Sequence, residues 1–183
     1  MGNTESAKKK QQLKTATRRI PEPSEAKKLI DTMNVLLLHK SDAKQLQIVR
    51  NFRDGLIAKT EGTVEVTDFI NIAHECKIPH NLAWLNDLNN VVLLCLTPDA
   101  MDQFEKIILE KGFADENGDL HKKVFSVVFG EKLAEWPPRG LKKGSTDLRD
   151  FHFGFSDVEN LRPEDFEKSL RVNSLIAAIK ATR

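Results

Sequence analysis

The chain has 183 residues, 40% of them apolar and 30% charged, with 28 Lys and Arg against 27 Asp and Glu for a net charge of +1. Six bases and one acid fall in the first twenty residues, so that stretch carries +5 and the remainder sums to −4, a poor match to a phosphate backbone that excludes nucleic acid as an expected partner. No run approaches 18 apolar residues and no apolar stretch opens the chain, so neither a membrane span nor a secretory signal is expected, and Cys76 and Cys95 alone make no disulfide framework.

Residues 1–32 read as a basic tail, interrupted by Pro21 and Pro23, and residues 33–183 as one domain. Met1-Gly2-Asn3-Thr4-Glu5-Ser6 fits the N-myristoylation pattern, in which the acyl chain is placed on the Gly2 amine after Met1 is removed. One such chain supports a binding constant of only about 10⁴ M⁻¹, so lasting attachment needs a second signal. Lys8, Lys9, Lys10, Lys14, Arg18 and Arg19 supply it, each adding up to about 1 kcal/mol near an anionic leaflet. The expected location is cytoplasmic, peripheral at the cytosolic face of a membrane. Ser6, Thr15 and Thr17 sit among these bases, where a phosphate would subtract about 1.5 to 2 charges and weaken the attraction to the leaflet.

From Asn34 the pattern alternates short apolar runs with longer amphipathic stretches, which predicts a parallel sheet with crossover helices. Asn34–His39 is the first strand, and Ser41 or Asp42 caps a helix that keeps Leu46, Val49, Phe52 and Leu56 on one face. Thr63–Thr67 alternates like an edge strand, and the segment after it, Asp68 to Pro79, carries no clear period. A helix from Asn81 bearing Leu82, Leu85 and Leu88 leads into Val91–Leu96, the best central-strand candidate, which Thr97-Pro98-Asp99 ends. A helix with Met101, Phe104, Ile108 and Leu109 follows, stopped at Gly112, then a turn cluster, a fourth strand at Val124–Phe129 and a basic connector around Trp136. Asp150–Phe155 is the fifth strand, and Pro163 opens a final helix with Phe166, Leu170, Leu175, Ala178 and Ile179 on its stripe.

Several chemistries are excluded by their missing residues. No GxGxxG follows the first strand and no GxxxxGK[ST] occurs, against dinucleotide and P-loop sites. Asp115-Glu116-Asn117-Gly118-Asp119 lacks the spacing and terminal Glu of an EF-hand. His74, Cys76 and His80 have no fourth ligand nearby for a closed zinc site, so no metal is expected.

Asn34 to Asp42, together with Asn81–Leu88 running through Trp84-Leu85 into Val91–Pro98, resembles the TIR and SEFIR signalling domains. The resemblance implies a flavodoxin-like five-stranded parallel sheet with helices on both faces. It also implies a membrane-anchored signalling adaptor that binds other TIR/SEFIR-like proteins, or itself, and needs no cofactor. The recognition loop of those families maps to the stretch from Asp68 to His80, so Asp68, His74, Cys76, Ile78, Pro79 and His80 are the expected contacts. An alternative carried by the same resemblance is an NAD glycohydrolase, with NAD as substrate and Glu105 as the catalytic carboxylate. Here no Trp-Cys pair precedes Glu105, and Arg162 to Phe166 stand where receptor TIR domains carry a Phe-Trp box. A third reading is an α/β domain that binds a nucleotide without chemistry.

Overall fold

The computed structural model describes residues 32–40, 43–97, 100–130, 150–154 and 160–183. Gly2, the six basic tail residues, Ser41, Asp42, Pro98, Asp99, Trp136 and Phe155 lie outside the described residues. Five strands form one all-parallel sheet: β1 (Met33–His39), β2 (Val64–Asn71), β3 (Asn90–Leu96), β4 (Val124–Phe129) and β5 (Asp150–Phe153). Their spatial order is β2-β1-β3-β4-β5, the flavodoxin-like arrangement. β3 and β4 are buried along their whole length, as continuous apolar runs covered on both faces must be.

Strand alternation divides the core. One face places Val35, Leu37, Leu93, Cys95, Val127, Phe129 and Phe153 beneath α1 (Ala43–Thr60), which contributes Val49, Phe52 and Leu56. The opposite face sets Leu36, Leu38, Val92, Leu94, Leu96 and Val128 against Phe104, Ile107 and Ile108 of the helix Met101–Glu110. Phe52 lies at the centre of an aromatic cluster, with ring centroids 5.4 Å from Phe129, 5.6 Å from Phe153 and 5.6 Å from Phe166. Edge-to-face pairs of this kind add about 0.5–1.5 kcal/mol each beyond area burial.

Four elements depart from the sequence reading. β2 continues to Asn71 because the register slips between Val35 and Leu36: Val35 pairs with Val66 and Leu36 with Asp68. Thr67 is the extra residue, and its hydroxyl donates to the Val35 carbonyl at 3.3 Å. Beyond the bulge Phe69 pairs with Leu37 and takes the face that Asp68 would have had, beside Val64 and Val66, so the simple alternation stops where the strand does not. The helix at Asn81 is a single turn, α2 (Asn81–Trp84); Leu85 is buried but Leu88 is 70% exposed. Trp84 is half-buried, and its indole donates to the Val91 carbonyl at 3.2 Å.

The helix Met101–Glu110, here α3, leaves Leu109 in solvent and ends in a Schellman turn. Phe113 N–H donates to the Ile108 carbonyl at 3.0 Å and Gly112 N–H to the Leu109 carbonyl at 3.4 Å, with Gly112 at φ 70°. The acidic turn after it is closed on itself, since Asp115 Oδ1 accepts from the amides of Asn117 and Asp119. The final helix breaks at Ser169 into α4 (Pro163–Lys168) and α5 (Leu170–Lys180). Ser169 is extended there (ψ 127°), and its side chain caps α5 by accepting from Arg171 N–H at 3.2 Å, which leaves Leu170 exposed.

Candidate functional site

In an open parallel sheet the crossovers decide where a crevice forms. After β1 the chain passes to one face through α1, and after β3 it passes to the other through α3. Neighbouring β1 and β3 therefore send their connections apart, and the C-terminal ends of these two strands are the topological switch point.

His39 ends β1 there. It is 3% exposed, and its imidazole packs on the Phe69 ring at a centroid distance of 4.2 Å, with the Arg53 guanidinium 5.1 Å from the same ring. His39 Nδ1 is buried and has no hydrogen-bond partner. Burial lowers the His39 pKa below the ordinary imidazole value, the positive charge of Arg50 adds to the effect, and the backbone at Lys40 opposes it. The side chain is accordingly neutral at pH 7. Cys95 is its register partner on β3 and is fully buried. Burial pushes the Cys95 thiol up, so it stays protonated and is no nucleophile. Thr97, just past β3, is 6% exposed, and its Oγ1 also has no partner.

The exit from β2 adjoins this point. Ile72 N–H donates to the His39 carbonyl at 2.8 Å, and Ile72 is 1% exposed. Residues 73–77 are then all exposed, including a short 3₁₀ turn at Glu75–Lys77, before Ile78 returns to the core at 3%. Local bonds stiffen the excursion: Asn71 Oδ1 accepts from Ala73 N–H at 3.1 Å, and His74 N–H donates to the Asn71 carbonyl at 2.9 Å. The Glu75 carboxylate meets Lys106 Nζ of α3 at 3.0 Å.

This geometry sorts the expected contacts. His74, Cys76 and His80 are exposed and Pro79 is half-buried. Asp68 is exposed but belongs to strand β2 and not to the loop. Ile78 is a core anchor, buried with Ile72 and Leu85 against Leu38 and Leu94, so it offers no surface. Glu75 and Lys77 complete the exposed segment; both lie within the expected stretch from Asp68 to His80 but not among its named contacts, because charged residues in an aperiodic stretch carry no distinguishing signal. Glu105 stands half-buried on α3, on the opposite side of the sheet from His39. Among the described residues no group of three or more His, Cys, Asp and Glu is placed to hold a metal ion. No helix among them is long and apolar enough to cross a membrane. No family model, curated protein or solved structure matches the chain.

Proposed function

We propose that the chain is a membrane-tethered signalling adaptor whose TIR/SEFIR-like domain binds a like domain, or a second copy of itself, through the loop 73–77. The observation that carries this reading is the anchoring of that loop. Five consecutive exposed residues stand between two core isoleucines, Ile72 and Ile78, and are braced by the Glu75–Lys106 ion pair. A loop held in one conformation loses little entropy on binding, which favours contact over wrapping. The Gly2 pattern and the basic run up to Arg19 support the tether. Confinement to a surface raises the effective concentration of the domain, so contacts too weak in bulk solution become populated.

The test is flotation of the full chain, purified from myristoylating cells, on anionic vesicles, followed by chemical crosslinking on the vesicle surface. The wild type floats and crosslinks. A His74→Glu/Cys76→Glu variant floats but crosslinks several-fold less, and Gly2→Ala does neither. A loop variant that crosslinks like the wild type removes the loop from the interface, and a wild type that stays in solution removes the tether.

A further inference from the structure

Buried polar groups without partners are uncommon in folded proteins, and each one needs a reason. Three such side-chain atoms among the described residues are His39 Nδ1, Thr97 Oγ1 and Ser126 Oγ. Ser126 lies within β4, in register with Leu94 of β3 and Asp150 of β5. The other two are different in kind. His39 ends β1 and Thr97 directly follows β3, the adjacent strands whose crossovers diverge, and by the alternation of Met33, Val35 and Leu37 and of Val91, Leu93 and Cys95 both belong to the face that α1 covers. Two orphaned polar groups therefore coincide with the one place where a sheet of this order opens a crevice.

We infer that the β1/β3 switch point binds a small ligand through its hydroxyl groups, with His39 Nδ1 and Thr97 Oγ1 as the contacting atoms. The chemistry of the pair selects that class. A neutral imidazole nitrogen accepts or donates according to its tautomer, and a threonine hydroxyl does both, so neither group favours a formal charge. A hydroxyl also does both and pairs with either tautomer. Vicinal hydroxyls of a ribosyl or free sugar group present two such partners side by side. The binding surface is separate from the loop 73–77, although the Ile72–His39 hydrogen bond makes them neighbours. The inference stands whether or not that loop binds a partner.

The test is calorimetric titration of the full chain with adenosine, ribose and inorganic phosphate, each up to millimolar concentration, alongside thermal unfolding of the unliganded variants. Saturable binding of adenosine with ribose silent assigns a nucleoside, and saturable binding of both assigns the sugar alone; each supports the inference. Thr97→Val keeps the shape and deletes the hydroxyl, so it weakens that binding about tenfold. In the same variant the unliganded melting temperature rises, because an unpartnered buried hydroxyl has gone. Thr97→Ser restores the affinity. His39→Leu weakens binding independently and serves if Thr97→Val does not fold. The inference is overturned if neither adenosine nor ribose binds, if phosphate alone binds, or if the folded variants bind as the wild type does.

Discussion

The amide of Ile72 donates to the carbonyl of His39 at 2.8 Å, so the chain leaving the edge strand is tied to the end of the strand inside it. The same histidine stacks on Phe69 and reaches Arg53 through that ring, which binds the end of β1 to both β2 and α1. A change in the state of His39 is thus felt at the start of the exposed loop and at the helix above it.

Protonation is the simplest such change. Burial lowers the His39 pKa in the folded chain below 6.5, its value when unfolded, and His121 is lowered in the same direction by burial and by Lys123 and Lys122. Between the folded and unfolded values the unfolded chain binds more protons, so stability is complete above about pH 6.5 and is lost as pH falls toward the depressed folded-state values. The melting temperature should fall through this window, and His39→Leu should flatten part of the decline while leaving the share due to His121. A melting temperature that holds level or climbs as pH drops would contradict the burial of a neutral imidazole at this position.

Gly55 of α1 packs directly against α4. A methyl group there would meet the Pro163 carbonyl oxygen at 2.5 Å and Phe166 Cβ at 2.8 Å, both too near to be accommodated without movement. The helix-propensity gain of Gly55→Ala, about 1 kcal/mol, is outweighed by forcing the helices apart over the Phe52–Phe166 contact. The net loss expected is about 1–3 kcal/mol, read from the midpoint of urea unfolding. An unchanged or higher midpoint would mean that α4 yields freely.

Lys123 is buried at the start of β4, and its ammonium donates to the Leu85 carbonyl at 2.9 Å and the Asp87 carbonyl at 2.7 Å. Those bonds close the turn between α2 and β3. Burial and the charge of Lys122 lower its pKa while Asp87 raises it. Lys123→Met removes a costly desolvated charge but leaves two carbonyls short of a donor, for a net destabilisation of about 1–2 kcal/mol. The effect should be local. Hydrogen exchange at Asn89 and Asn90 should accelerate more than at Val35 or Leu37, and uniform acceleration along the chain would show that the clamp is not what holds this turn.

How much of this was legible depended on what each residue type can announce. β1, β3 and β4 declared themselves as apolar runs, and α1 through the spacing of Val49, Phe52 and Leu56, because burial on one or two faces leaves a periodic mark. The bulge at Thr67 and the break at Ser169 left none, since each replaces a regular pattern with a hydrogen bond to a particular carbonyl or amide. The switch point was illegible for a different reason. His39 and Thr97 sit 58 positions apart, and only the pairing of β1 with β3 brings the ends of their strands side by side. The TIR/SEFIR resemblance alone puts Ile78 among the contacts; an isoleucine between Lys77 and Pro79, buried as it is, is better read as the residue that pins the crossover down.

That reading separates two residues four apart. Ile78 fills part of the second core with Leu38, Leu85 and Leu94, so Ile78→Ala should cost about 2–5 kcal/mol of global stability, the usual loss for an aliphatic side chain deleted from a packed interior. His74 is exposed and its side chain makes no capping bond, so His74→Ala should fall within about 0.5 kcal/mol of the wild type. Crosslinking on vesicles reverses the order of interest: His74→Ala weakens association in a domain of unchanged stability, whereas Ile78→Ala weakens it only as far as the loop is released from its anchor. Holding the temperature well below the Ile78→Ala transition distinguishes release from unfolding. If Ile78→Ala then unfolds at the wild-type urea concentration, the loop has no core anchor and the case for a preformed contact surface falls with it.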